Sequence, residues 1–204
     1  MRSFLAALLF VTPLLMAAPA RADHTPEEAQ KFIQDLAQQA ISTVAERQIS
    51  DNERRERFRR LFVSAFDLPY ISQFVLARYW RSATPEQQQE FVKLFEEMQV
   101  LNWAQRFKDY HGESLQATSS AKDGDRGFAV DSQLVRPSGG PMPVQWKVRS
   151  GDDGKLRVSD IIVEGVSMSI TQRSDYNSLL QGAGGNFDAL LKALHTKVDQ
   201  MRAG

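Results

Sequence analysis

The chain has 204 residues, with 25 basic side chains, 25 acidic ones and no cysteine. The lack of cysteine excludes thiol catalysis, thiolate metal sites and disulfide staples, so stability has to come from the core. The even charge balance argues against nucleic acid as a partner, because a phosphate backbone calls for a basic surface.

The first 22 residues read as an export signal. Arg2 is the positive start, residues 4–18 form an apolar run of about 15 broken by Pro13, and Ala20-Arg21-Ala22 is a small-x-small cleavage site. That run is short for a bilayer span, which needs roughly 20 residues. Cleavage after Ala22 removes Arg2 and Arg21, leaving 182 residues with a net charge of −2 and no second hydrophobic run. Residues 23–204 are read as one exported, soluble domain, long enough to bury its own core. With no cysteine at the cleavage site, no lipoprotein anchor is expected.

Thr25-Pro26-Glu27-Glu28 is a capping box with proline at the first helical position, opening a helix to about residue 49. Its apolar face is Phe32, Ile33, Leu36, Ala40, Ile41 and Val44. Asp51 is read as the cap of a second helix, 53–65, with the charge run Glu53-Arg54-Arg55-Glu56-Arg57 and Arg59-Arg60. Glu53 with Arg57 and Glu56 with Arg60 are i, i+4 pairs in the favourable order. Such a run is a solvated face or a docking patch for an acidic partner or anionic headgroups. A short helix apolar nearly all round follows, with Pro69 near its start, and leads through Arg78-Tyr79-Trp80 to the longest element.

That element begins at Thr84-Pro85-Glu86-Gln87, another capping box. It keeps a helical period to Tyr110, with Gly112 as its C-terminal stop. About 26 residues make a rod of roughly 39 Å. Phe91, Leu94, Phe95, Met98 and Leu101 form one stripe, widened by Val92, Val100, Trp103, Phe107 and Tyr110. The helix is expected to pack between a sheet and other helices, with part of its aromatic surface facing a cavity.

After Gly112 the period changes from 3.6 to 2. Phe128, Val130 and Leu134 alternate with Asp131 and Gln133, and Val144, Trp146 and Val148 with Gln145, Lys147 and Arg149. Turn residues separate four antiparallel strands near 113–120, 127–136, 142–149 and 155–166, joined as a meander. Ile161, Ile162 and Val163 are consecutive, so this strand has a bulge near Ser159-Asp160 or is buried on both faces, and the phase of Glu164 stays open. Ser169 with Gln172 marks the next helix, Gly182 to Gly185 a connector, and Asn186 the cap of a last helix with Phe187, Leu190, Leu191, Leu194 and Val198 inward.

No Gly-x-Ser-x-Gly elbow, His-Glu-x-x-His zinc helix or phosphate loop occurs, and His24, His111 and His195 are scattered. The best catalytic case is Asp131 or Glu164 as a desolvated base in a helix-lined cavity, as in small isomerases. Asp131 is out of phase with the apolar face, and an inward Glu164 is more often paired with an arginine. No enzyme is expected.

Tyr79-Trp80-Arg81-Ser82-Ala83-Thr84-Pro85-Glu86-Gln87, followed by Phe91, Phe95 and Tyr110-His111-Gly112, resembles the MlaC family. So does Asp160-Ile161-Ile162-Val163-Glu164-Gly165-Val166-Ser167-Met168, whose Glu-Gly-Val-Ser-Met core is the most specific match. The likeness runs through almost all of residues 23–204. The family is also called toluene-tolerance auxiliary proteins, and the hopanoid-associated HpnM proteins are similar.

The resemblance implies an α+β fold, a four-stranded or five-stranded twisted antiparallel sheet wrapped by helices around an apolar pocket, similar to the nuclear-transport-factor-2-like plan. It implies a periplasmic, monomeric carrier with phospholipid as cargo and no cofactor. The implied partners are an inner-membrane ABC transporter with a substrate-binding ring and an outer-membrane lipoprotein–porin complex, the whole maintaining outer-membrane lipid asymmetry. A hopanoid or other lipid carrier, or a non-lipid periplasmic adaptor, remains as an alternative.

Combining the long helix with the apolar sheet face gives Phe95, Met98, Trp103, Phe107, Leu134, Val144, Trp146, Ile162 and Val166 as lining. Phe74, Tyr79, Trp80 and Met168 are placed at the mouth. Trp80 and Trp146 carry N–H groups that need partners, which favours a rim position for both.

Overall fold

The computed structural model of the chain describes residues 24–46, 48–107 and 110–203, with Val44 and Phe107 by backbone alone. The export signal and the Phe107 side chain lie outside the described residues. Among the described residues, six α-helices, one 3-10 turn and five strands follow, the helices and the first four strands in the order expected.

Helix α1 (Pro26–Ala45) starts at the predicted box: Thr25 Oγ1 accepts the Glu28 N–H at 3.3 Å, and Glu28 Oε2 accepts the Thr25 N–H at 2.9 Å. It ends earlier than the expected 49, with Glu46 already extended. The cap of α2 (Asp51–Ala65) is Ser50 rather than Asp51. Its hydroxyl accepts the Glu53 N–H at 3.1 Å, while Asp51 pairs with Arg54 within the first turn. Asp67 caps the short α3 (Leu68–Leu76), and a 3-10 turn, Ala77–Ser82, leads into α4 (Pro85–Phe107). Thr84 and Gln87 close the box at its start, at 3.2 and 2.9 Å. The expected end at Tyr110 passes through residues 108–109, which are outside the described residues.

Strands β1 (Ser114–Lys122), β2 (Gly127–Val135), β3 (Met142–Ser150), β4 (Leu156–Val163) and β5 (Val166–Ser167) form one antiparallel sheet in chain order. The fold is α+β. The fifth strand arises because Glu164 and Gly165 both have positive φ, 49° and 82°. That is the geometry of a two-residue hairpin turn, so the fourth strand stops at Val163 instead of running to 166.

Backbone groups on both sides of the sheet are partly occupied. On β1, Gln30 and Gln34 of α1 donate to the carbonyls of Ala117 and Leu115, and Gln34 accepts the Ala117 N–H. On β4, the Phe66-Asp67 segment lies beside Val158, with the Asp67 N–H donating to its carbonyl at 2.9 Å. Backbone groups occupied in this way are not free to pair with another chain.

Two hydrophobic cores result. One joins Ala29, Ile33 and Leu36 of α1 and Ala65 of α2 to Phe128, Val130, Val148 and Val158 on the inner sheet face. The other is helical, built from Phe58 and Phe62 of α2, Phe91, Phe95 and Val100 of α4, and α3, α5 (Met168–Gly182) and α6 (Phe187–Ala203). The long helix α4 therefore does not lie against the sheet: it packs on α6, α2 and α3. The inner sheet face is already covered by α1 and α2, which leaves α4 to centre the helical layer.

The charge run on α2 is partly a clamp. Arg59 reaches Glu96 at 2.7 Å and Glu97 on α4, and Arg202 of α6 reaches Glu97 at 3.1 Å. The expected Glu53–Arg57 pair forms at 2.8 Å, but Glu56 bonds Arg59 instead of Arg60.

Candidate functional site

Where the two cores meet, they do not close. A cleft of about 490 Å³ runs between α1, α2, the end of α4 and the sheet end made by the start of β1, the end of β2, the start of β3 and the end of β4. This volume falls within the roughly 300–1,000 Å³ of ligand pockets generally. One wall is Leu36, Ala37, Ala40 and Ile41 of α1. The opposite wall is aromatic: Trp103, Phe58, Phe62 and Phe66 follow one another with ring centroids 6.3, 5.9 and 4.3 Å apart. The floor is Leu115, Leu134, Met142, Val144, Trp146, Ile161 and Val163.

Register explains the floor. Leu134 pairs with Met142, Ser132 with Val144 and Val130 with Trp146, so one alternating face of β2 and β3 points into the cleft. On β4 a bulge at Ser159 shifts the phase. Val148 faces Val158, whereas Trp146 faces Ile161 and Val144 faces Val163. The sheet side stays dry because its one indole N–H is satisfied internally: Trp146 Nε1 donates to Ser132 Oγ at 3.0 Å, and that hydroxyl donates to the Val144 carbonyl at 2.8 Å.

The polar lining gathers at one end. Arg106 closes α4, Tyr110 and Glu113 lie in the α4–β1 connection, and Arg136 follows β2. The Arg106 guanidinium lies over the Trp103 ring, 5.6 Å from its centroid. Tyr110 Oη donates to the Glu113 carbonyl at 3.1 Å, and Arg136 donates to the Gly140 carbonyl at 3.1 Å. The His111 backbone N–H, 2.8 Å from Glu113 Oε2, holds that carboxyl below its ordinary range. Glu113 is therefore an ionised rim group, the opposite of a carboxyl raised to act as an acid or base near neutrality. The cleft can shelter hydrocarbon along its length and meet a charged group at one end.

Residues 20–196 match the family described as MlaC protein. The chain belongs to the MlaC family. It is 27% identical over 137 residues to the Haemophilus influenzae intermembrane phospholipid transport system binding protein MlaC, an alignment over 66% of this chain and 63% of that protein. It is 23% identical over 190 residues to the toluene tolerance protein ttg2D of Pseudomonas putida, covering 92% of this chain and 86% of that one. The fold is similar to that of a phospholipid-binding protein from Ralstonia solanacearum solved in complex with a phospholipid. There the TM-score is 0.76 and the identity 20%, over 85% of this chain and 98% of the other.

Within this MlaC-family fold the residues singled out from sequence divide by place. Trp103, Leu134, Val144 and Trp146 meet in the cleft. Phe95 does not: it is buried at 2% exposure in the helical core, stacked on Phe91 at 5.9 Å. Met98 packs on the same core. Ile162 faces away, because the bulge turns Ile161 and Val163 inward in its place. Val166 and Met168, at 54% and 37% exposure, sit on the β4–β5 hairpin and at the start of α5 and do not line the cleft.

None of the four expected mouth residues lines the cleft. Phe74 lines a separate groove of about 340 Å³ on the outer sheet face, among Arg126, Lys147, Arg149 and Asp160. Tyr79 and Trp80 pack on the helical core. Trp146, expected at the rim, is satisfied within the sheet by Ser132, so its N–H does not need water. Asp131 is exposed on the outer face, bonded by Ser119 and Gln145, and Glu164 is exposed in its hairpin turn.

Sequence reasoning overlooked the α1 residues Ala37, Ala40 and Ile41 as lining, and the ladder Phe58, Phe62, Phe66. That ladder was readable: the three phenylalanines recur at i, i+4, i+8, two of them inside the segment 53–65 taken for its charges and Phe66 just after it. The Glu-Gly-Val-Ser-Met segment also takes on a structural role. Asp160 accepts from the Ser167 hydroxyl and from the Ser169 N–H at 2.9 Å, tying the hairpin to the start of α5.

Proposed function

We propose that this protein is a periplasmic phospholipid carrier that holds acyl chains in the cleft between its two cores. The observation that carries the reading is the cleft itself, walled by aromatic and aliphatic side chains with its charged groups at one end. A chain of about 15 methylenes costs on the order of 12 kcal/mol to expose, at roughly 0.8 kcal/mol each. A carrier across an aqueous space therefore needs an apolar cover of matching area and a gate, and no reacting group.

In this reading residues 1–22 direct export and are removed after Ala22. The carrier collects and delivers phospholipid between an outer-membrane lipoprotein–porin complex and the substrate-binding ring of an inner-membrane ABC transporter, keeping the outer membrane asymmetric. The relatives named for intermembrane phospholipid transport and toluene tolerance support it, as does the phospholipid-bound neighbour of like fold.

Native mass spectrometry of the protein purified from the periplasm tests the reading. A retained mass equal to a phospholipid is expected. A hopanoid mass would assign the cleft a different lipid, and protein that neither retains lipid nor takes it up from vesicles would leave an adaptor role.

A further inference from the structure

We propose that the polar end of the cleft is a phosphodiester site whose two cations are Arg106 and Arg136, fixing which way round a lipid lies. The inference rests on the carrier reading and adds a headgroup subsite to it. The two arginines come from different elements, the last turn of α4 and the residue after β2, yet both line the same cleft. Among the described residues, seven of the twelve other arginines have acidic partners: Arg54, Arg57, Arg59, Arg126, Arg149, Arg157 and Arg202. Among the described residues, neither Arg106 nor Arg136 has a carboxylate oxygen within 4.0 Å.

Each is positioned by an uncharged neighbour instead, Arg106 by the Trp103 ring and Arg136 by the Gly140 carbonyl. A guanidinium has five N–H donors, so both retain donors for a ligand, in the planar fork that suits phosphate oxygens. Ser114 pairs with Val135, so Glu113 and Arg136 follow at the same end of adjoining strands. Two guanidinium groups and one carboxylate leave a single positive charge at the opening, complementary to one phosphodiester. Everything deeper is hydrocarbon, from Leu134 and Met142 to Trp146, Ile161 and Phe66. A phosphate is met only at the hairpin end, with the acyl chains running inward along the aromatic wall.

The test uses the full mature chain and the variant Arg106→Gln/Arg136→Gln, with Arg78→Gln/Arg81→Gln as a charge-matched control, both exposed and outside the cleft. Uptake from vesicles is measured for phosphatidylglycerol and for a diacylglycerol of the same chains. The wild type should favour the phospholipid, and the double variant should bind it roughly tenfold more weakly while keeping its diacylglycerol uptake. The control and the melting temperature should not change, and each single variant should show part of the loss.

Equal phospholipid uptake by wild type and double variant would overturn the site while leaving the carrier intact. Failure of the wild type to take up either lipid would instead remove the carrier reading beneath it. Titration with glycerophosphoglycerol, the headgroup without chains, separates the sources of phosphate. Binding as tight as that of the lipid would overturn the assignment, since the site would then serve a soluble ester.

Discussion

At the scale of single residues, Ala77 tests the backbone, and Val144 and Met98 test the cleft. Ala77, the C-cap of α3 and the first residue of the 3-10 turn, sits at φ 52° and ψ −120°, a conformation ordinarily left to glycine. Strain at such a site is on the order of 1–3 kcal/mol, partly offset by the greater unfolded-state freedom of glycine. Ala77→Gly should therefore stabilise the fold by about 1 kcal/mol in urea titrations. Val144 and Met98 both looked like lining from the sequence, but only Val144 borders the cleft. Val144→Trp should lower the amount of co-purifying lipid with the fold retained. Met98→Trp should overpack the helical core at a cost of about 1–3 kcal/mol. Comparing lipid content and urea midpoints of the two variants distinguishes space in a cleft from space in a core.

At the scale of elements, the α2–α4–α6 clamp gives the helical layer a pH dependence. Burial would raise the Glu97 carboxyl, but hydrogen bonds from Arg59 and Arg202 outweigh it and hold it below its ordinary value. A carboxyl lowered on folding adds stability above its unfolded pKa of about 4.3, and that stability is lost as pH falls through the lower folded value. Glu97→Gln should melt below the wild type at pH 7, with the difference shrinking toward pH 3 in parallel thermal scans.

Three helix starts were readable because a cap needs only its own turn: Thr25, Thr84 and Asn186 all bond the N–H groups expected of them, whereas α5 is capped by Ser167, which accepts the Ile170 N–H, and not by the expected Ser169. The five apolar positions of α6 are all buried for the same local reason. The α1–α2 junction was not readable. Ser50 and Asp51 are both good caps, and the choice between them depends on where α2 must point Phe58 and Phe62.

At the scale of the whole molecule, the cleft divides the protein into a sheet layer and a helical layer, and in the carrier reading a lipid between them stabilises both. A lipid at about 100 times its Kd adds about 2.7 kcal/mol. Stripping it should lower the Tm by roughly 5–10 °C, with recovery on reloading from vesicles, as followed by calorimetry. An unchanged Tm after proven delipidation would mean that the layers do not feel the cleft's contents. The seam is suited to this coupling because α2 lies in both cores, with Ala65 in one and Phe58 and Phe62 in the other.

The sequence by itself determined the export signal as an expectation, the order and type of the elements, the meander and the family. All of these rest on patterns that repeat within a few residues or on contiguous motifs. Tertiary structure alone decided which apolar residues face a cavity and which fill a core, because both environments select the same side chains. Phe95 and Trp103 occupy one helix with similar chemistry, yet one is packed on Phe91 and the other looks into the cleft. Ile161, Ile162 and Val163 are equally apolar, and only the bulged pairing of β4 with β3 selects the outer two of the three. Burial in a core and contact with a lipid are both removal from water, and a pattern of hydrophobicity cannot tell them apart.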